Sequence, residues 1–139
     1  MVRGGKMRYV FRLVFFVTLG AAILTVSILE SKYIENTFET FEKDLLEFSA
    51  MIDKDTENTN SFENLQHIEC LTQEWHKTAT KLKYLVWHTG IKDVEVGLSR
   101  IATYTAENNY TEVKTELNNL LDFTRHYSKD FKVLPENVF

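Results

Sequence analysis

The hydrophobic positions divide the chain into one uninterrupted apolar stretch and several periodic segments. No charged residue occurs from Leu13 to Leu29, and with Tyr9 to Arg12 the stretch reaches the roughly 20 helical residues that cross a bilayer. A cleaved signal peptide is the alternative, but its apolar region normally has about 7–15 residues and ends at a small-x-small site, which is missing here. We therefore expect an uncleaved transmembrane anchor over residues 9–29.

After the anchor, apolar residues recur three and four positions apart, the spacing of a helix that packs on other helices. The first set is Ile34, Phe38, Phe41, Leu45, Phe48 and Ile52. The acidic residues between them indicate a solvated face. No glycine or proline separates Leu29 from Ile34, so the anchor and the first bundle helix are expected to form one continuous helix.

A polar break at 53–61 precedes three further helical segments. Asn60, with Glu63 in a capping box, or Ser61 is expected to cap the second helix, which should run to about His88 with Gly90 as its C-cap. Its apolar positions are Phe62, Leu65, Ile68, Trp75, Leu82 and Val86. The third helix is marked by Val94, Leu98, Ile101 and Tyr104, and ends near Glu107 to Asn109. The fourth is marked by Tyr110, Val113, Leu117, Leu120, Leu121, Thr124 and Tyr127.

These segments predict an all-α fold: a transmembrane helix that continues into a small antiparallel bundle of three or four helices. Residues 1–8 form a basic N-terminus, 9–29 the anchor, and 30–139 the bundle with an extended tail, because Pro135 disfavours helix at Leu134. Leu134, Val138 and Phe139 place three apolar groups near the chain end. We expect this tail to dock on the bundle or on a partner.

Charge sets the orientation of the anchor. Arg3, Lys6, Arg8 and Arg12 are the only charged residues before Glu30, and the remaining chain combines twenty acidic with twelve basic residues, a formal charge of −8. The positive-inside rule keeps residues 1–8 in the cytoplasm and places the bundle on the other side of the cell membrane. The acidic bundle argues against nucleic acid as a partner, because binding to phosphates needs a basic surface.

Two Trp-His pairs, Trp75-His76 and Trp87-His88, raise the question of a metal site. On one helix they would stand ~18 Å apart and about 120° around the axis, too far to hold one ion. Trp75 fits the apolar stripe and is expected in the core, whereas Trp87 falls off the stripe and suits a partner contact or a lid over the turn. Cys70, the only cysteine, excludes an intrachain disulfide and is expected to be a buried thiol.

The residues from Trp75 onward resemble a bacterial protein family. Trp75, His88, Ile91, Val94, Glu95, Leu98 and Arg100 are similar to the pattern W-x12-H-x2-I-x2-[IV]-E-x2-L-x-R, and the tail LPENVF is similar to Leu-x-Glu-Asn-[Ile/Leu]. Both occur in domain-of-unknown-function family 4363, which comprises small membrane-anchored proteins of clostridia and their relatives. The resemblance implies a bacterial membrane protein and carries no activity. This chain lacks the second Trp, near Leu82, and the acidic residue after His88 that such proteins often have.

No nucleophile elbow, phosphate-binding loop or HExxH motif occurs, so we expect no catalytic residue, no metal and no cofactor. His88 and Glu95 could share a hydrogen bond, and Glu95 and Arg100 could join an ionic cluster, most simply a structural latch. The sequence favours a non-enzymatic subunit that binds a membrane or envelope protein, with self-association left open. A ligand-binding domain of the sensor type is the alternative.

Overall fold

A computed structural model describes the backbone of residues 3–84 and 88–130 and the side chains of 8–84 and 90–129. This part of the chain contains four α-helices and no strand: α1 (Arg3–Lys54), α2 (Phe62–Leu82), α3 (His88–Ala106) and α4 (Tyr110–Asp130). The all-α prediction is therefore confirmed, with four helices in the bundle.

Helix α1 is continuous through 52 residues, a length of about 78 Å at 1.5 Å per residue. Between Arg8 and Glu30 every side chain is exposed, so this part of α1 packs on nothing in the described protein. From Ile34 onward one face is buried, and the buried residues are those that the spacing predicts: Ile34, Phe38, Phe41, Leu45, Phe48 and Ile52. The predicted continuity between the apolar stretch and the first bundle helix is confirmed.

The four helices form an antiparallel ring. Each packs on its neighbours in the chain, and α1 closes the ring on α4, while no backbone contact joins α1 to α3 or α2 to α4 within the described residues. The pairing of α1 with α4 is fixed by contacts near both ends of the packed part of α1. Phe38 meets the Tyr127 ring with centroids 5.0 Å apart, and Lys114 Nζ lies 3.0 Å from Asp53 Oδ2. The core is therefore enclosed by one face from each helix.

The structure at the start of α2 shows which of the two predicted residues, Asn60 or Ser61, is the N-cap. Ser61 is the N-cap and its Oγ accepts a hydrogen bond from the Asn64 backbone N–H at 3.3 Å, as serine does at this position. Phe62 was expected on the apolar stripe, but it is 82% exposed. Asn64 takes the buried position instead. Its side-chain amide can be buried because Nδ2 donates a hydrogen bond to the Thr59 carbonyl.

The prediction that α2 extends to His88 with Gly90 as its C-cap is wrong. Helix α2 ends at Leu82, and His88 is the first residue of α3. Gly90 lies in the first turn of α3 without a positive φ. A Cβ at this position would stand 2.8 Å from the Tyr127 ring, so the glycine permits close approach of α3 and α4 and does not end a helix.

A network of polar contacts closes the end of the bundle farthest from the apolar stretch. Asn108 has a left-handed φ of 55°; its Nδ2 donates to the Glu57 carbonyl at 2.8 Å and its Oδ1 accepts from the Asn60 N–H at 3.2 Å. Asp53 accepts from Tyr110 at 2.8 Å and from Lys114 at 3.0 Å. Burial opposes ionisation of Asp53, but these hydrogen bonds outweigh it and hold its pKa below 3.8. The two loops and the adjoining helix ends are thereby tied together.

Separate substitutions of Trp75 and His76 test which face of α2 packs in the core. Trp75→Ala should lower the free energy of unfolding by roughly 3–5 kcal/mol, the range for removing a large buried ring, because Trp75 is 3% exposed. His76→Ala should cost under about 0.5 kcal/mol as a surface change, because the His76 side chain is 74% exposed. Chemical denaturation of the detergent-solubilised chain, followed by circular dichroism, measures both, and equal losses would contradict this assignment of faces.

Candidate functional site

Trp75 stands at the centre of an aromatic cluster between α1 and α2. Its ring centroid lies 4.5 Å from that of Phe41 and 5.7 Å from that of Phe38, distances at which aromatic pairs stabilise one another. Phe38 extends the cluster to Tyr127 on α4. The predicted core position of Trp75 is confirmed, and the cluster joins three of the four helices.

Above this cluster, α1 and α2 leave an open groove of about 290 Å³, near the lower end of the size range of small-molecule sites. Its apolar floor is formed by Phe41, Leu71 and Trp75, and its polar rim by Tyr33, Asn36, Thr37, Thr40, Asp44, Glu74 and Thr78. Two rim residues are carboxylates, and no basic side chain lines the groove among the described residues. These features suit a group that combines an apolar body with a positive charge.

The Trp75 side chain also carries an unsatisfied donor. Its Nε1 is buried and has no hydrogen-bond partner among the described residues, although buried indole N–H groups usually find an acceptor. Leaving such a donor unpaired costs free energy. Trp75 therefore contributes both an apolar ring to the groove floor and an N–H group without an acceptor among the described residues.

The negative charges around the groove change the pKa of the Asp44 carboxyl group. Burial raises its pKa above 3.8, and the nearby carboxylates of Glu74 and Glu47 raise it further, while His67 acts in the opposite direction. Repulsion between like charges of this kind disfavours ionisation. A cation bound at the rim would relieve that repulsion.

The other residues predicted as a site do not come together in one place. Glu95 lies opposite α2, where its Oε1 is 3.9 Å from His76 Nδ1 and is buried without a hydrogen-bond partner among the described residues. Arg100 pairs with Glu116 on α4 at 3.4 Å, beside a shallow groove bordered by Gly97 and Leu120. The proposed Glu95–Arg100 cluster is thus replaced by two separate pairs, because each side chain reaches a neighbouring helix.

Several predicted positions lie outside what the structure describes. His88 begins α3, but its side chain is not among the described ones, and Trp87, Leu134, Val138 and Phe139 fall outside the described residues. The expected contacts of these residues therefore stay predictions.

Cysteine and metal chemistry receive no support from the arrangement of side chains. Cys70 is exposed, so the expectation of a buried thiol is wrong; it lies on the outer face of α2, between the buried residues Ile68 and Leu71. In the described ranges, no three side chains of His, Cys, Asp or Glu are grouped closely enough to hold a metal ion.

The rim residues Asp44 and Glu74 were not identified by sequence reasoning. Each carboxylate stands next to an apolar position on its own helix, and the sequence contains many acidic residues in similar positions. They form a site only because α1 and α2 pack side by side with Trp75 between them, and that pairing leaves no local signal in the sequence.

The charge of Asp44 has a measurable consequence for stability. The folded chain holds the Asp44 proton more tightly than the unfolded chain, because its pKa is raised, so the ionised carboxylate opposes folding at neutral pH. Asp44→Asn should raise the free energy of unfolding at pH 7 by less than about 1 kcal/mol, since partial exposure screens the charges. The gain should shrink as the pH falls through the raised pKa and vanish below the unfolded value near 3.8.

Denaturation curves at several pH values provide the measurement for Asp44→Asn. Glu39→Gln, which neutralises an exposed carboxylate on the same helix outside the groove, is the matched control. A loss of stability in Asp44→Asn at pH 7 would contradict the prediction.

Comparison with known protein families gives a match. The family described as domain of unknown function (DUF4363) matches residues 29–138, whereas no curated protein and no solved structure matches the chain. The matched region begins at the last residue of the apolar stretch and includes the groove, Trp75 and all four bundle segments. The resemblance seen in the sequence is therefore confirmed at the level of the family, and the chain belongs to the family described as domain of unknown function (DUF4363).

Proposed function

We propose that this protein is a single-pass, membrane-anchored subunit whose extracytoplasmic bundle binds a protein partner and performs no catalysis of its own. The observation that carries the proposal is the continuity of α1. One helix is exposed and uncharged on all sides from Leu13 to Leu29 and is then buried along one stripe from Ile34. A bundle built on such a helix is held at a fixed distance from the membrane.

The dimensions of the apolar part support its role as the anchor. Residues 9–29 span about 32 Å as a helix, against a hydrocarbon thickness of roughly 30 Å. The hydroxyl groups of Thr18 and Thr25 donate to the carbonyls of Val14 and Ala21 on the same helix, so neither hydroxyl needs water. The described chain has one helix long and apolar enough for this role, although a signal sequence near the N-terminus would pass the same test.

The four basic residues at or before Arg12 favour a cytoplasmic N-terminus and a bundle outside the cytoplasm. The resemblance to clostridial membrane proteins supports a bacterial cell membrane as the location. The partner is then a protein of that membrane or of the envelope.

We place the partner contact in the groove at Trp75. A basic side chain flanked by apolar groups would match both the Asp44–Glu74 rim and the aromatic floor. The second candidate function, ligand binding of the sensor type, is favoured by the same groove, because its volume also suits a small organic cation.

Fusion proteins test the anchor and its orientation. Alkaline phosphatase fused after Phe139 should be active in a bacterial host, because the fusion joint lies outside the cytoplasm, and the full-length chain should stay with the membrane after alkaline extraction. An epitope tag placed before Met1 should be retained on the mature protein. Loss of the tag would show a cleaved signal sequence, and activity of only a cytoplasmic reporter at Phe139 would reverse the topology.

Site-specific photo-crosslinking in cells tests the partner contact. Benzoylphenylalanine at position 78, on the groove rim, should form an adduct with another polypeptide, whereas the same label at position 80, on the outer side of α2, should not. The adduct should be lost when Asp44→Asn and Glu74→Gln are introduced together. An adduct of small-molecule mass at position 78 would support ligand binding instead, and equal labelling at both positions would contradict a role for the groove.

A further inference from the structure

The end of the bundle nearest the membrane differs in charge from the remainder. Five exposed lysines lie beyond the contacts that Phe38 makes with Trp75 and Tyr127, toward the apolar stretch. They form what we call the lysine collar: Lys32, Lys77, Lys81, Lys83 and Lys129. Among the residues whose side chains are described, Glu30 and Glu35 are the acidic ones at the same end, whereas residues 39–74 and 91–126 combine sixteen acidic with six basic residues. The positive charge of the bundle is thus concentrated at one end.

The height of each lysine above the anchor follows from the helix rise. Trp75 and Phe38 are in contact on antiparallel helices, and Tyr84 comes nine residues after Trp75 just as Leu29 comes nine residues before Phe38. At 1.5 Å per residue both lie about 13 Å from the contact. Trp75 lies even closer to Phe41, three residues farther from the anchor, so Tyr84 stands within about 5 Å of the end of the anchor. The same rise places Lys81, Lys83 and Lys32 within about 9 Å of the end of the anchor, and Lys77 and Lys129 within about 15 Å.

These heights fall within the polar layer of a bilayer or within the distance over which its charges act. The headgroups on each side of the hydrocarbon occupy roughly 5–8 Å, and charges act through salt solution over about 8–10 Å. None of the five lysines forms an ion pair with a described residue. Tyr84 is 89% exposed, and tyrosine is enriched at this level in membrane proteins.

We propose that the lysine collar and Tyr84 bind the anionic headgroups of the bilayer and hold the bundle against the membrane surface. Clusters of basic side chains near a membrane are attracted to anionic lipids. In addition to the anchor, the collar gives the bundle a second contact with the bilayer, at the end of α2. The tilt of the bundle on the membrane is therefore fixed, as well as its distance from the membrane. This inference depends on the proposed membrane anchor.

Depth-dependent quenching of fluorescence in lipid vesicles tests whether the lysine collar of the full-length chain lies at the headgroups. A bimane label is attached at Thr80→Cys, close to the collar, in a Cys70→Ser background, and a spin label on the lipid headgroup serves as the quencher. Quenching should be at least about twofold stronger in vesicles of phosphatidylcholine with 30% phosphatidylglycerol than in phosphatidylcholine alone. High salt should abolish the difference, because it screens charge.

Two triple variants separate a collar effect from a general charge effect. Lys77→Gln, Lys81→Gln and Lys83→Gln together should reduce quenching in anionic vesicles to the level in neutral ones. Lys43→Gln, Lys54→Gln and Lys92→Gln together remove three exposed lysines that lie beyond the collar, and should leave the quenching unchanged. Bimane on the native Cys70, about 21 Å farther along α2 than Tyr84, should be quenched little in either lipid.

Retention of the chain after alkaline extraction separates this inference from the anchor. If the chain stays in the vesicles but the label at position 80 is quenched equally in both lipids, the collar does not bind anionic headgroups and only this inference fails. If the two triple variants behave alike, the effect belongs to net charge and the collar is again refuted. If the chain is extracted, the proposed anchor fails, and the collar with it.

Discussion

The backbone of α1 runs without a break from Arg3 to Lys54, and the positions of the other helices depend on it. Sharp bends in helices occur mainly at proline, at glycine pairs or where the hydrogen-bond ladder is interrupted, and α1 contains none of these after Gly20. The change from an all-round apolar surface to a single buried stripe occurs within the few residues between Leu29 and Ile34. Any tilt of the first part is therefore transmitted directly to the bundle.

The aromatic residues of α1 and α2 explain why the groove lies where it does. Phe41 and Trp75 fill the space between the two helices with large rings. Apart from Tyr33, the positions outside them are threonines, an asparagine and carboxylates, which leave the groove open. A cluster that stabilises the core thus also leaves a partly open surface. This arrangement costs free energy at two groups. The Trp75 N–H has no acceptor among the described residues, and the pKa of Asp44 is raised.

Local patterns in the sequence were sufficient for most of the fold. The seam from Ile34 to Ile52 and the cap at Ser61 depend on residues within one or two turns. The seam was predicted, and Ser61 was one of the two caps that the sequence left open. The boundary between α2 and α3 was not predicted, because the apolar spacing continues past Leu82 and Gly90 resembles a residue that ends a helix. Its real role comes from Tyr127, which is far away in the sequence. The partners of Glu95 and Arg100 were missed for the same reason, since His76 and Glu116 lie on neighbouring helices.

Lysines at the membrane-facing end do not conflict with the proposed orientation. The positive-inside rule counts basic residues in short loops and near the ends of the anchor in sequence, and by that count Arg3, Lys6 and Arg8 dominate. Most of the collar lies far along the chain, from Lys77 to Lys129, and reaches the level of Leu29 only when α2 and α4 fold back on α1. In the proposed topology, the N-terminal charges act before the bundle exists and set its side of the membrane. The collar acts afterward, once the helices have packed, and sets how the bundle rests on the surface.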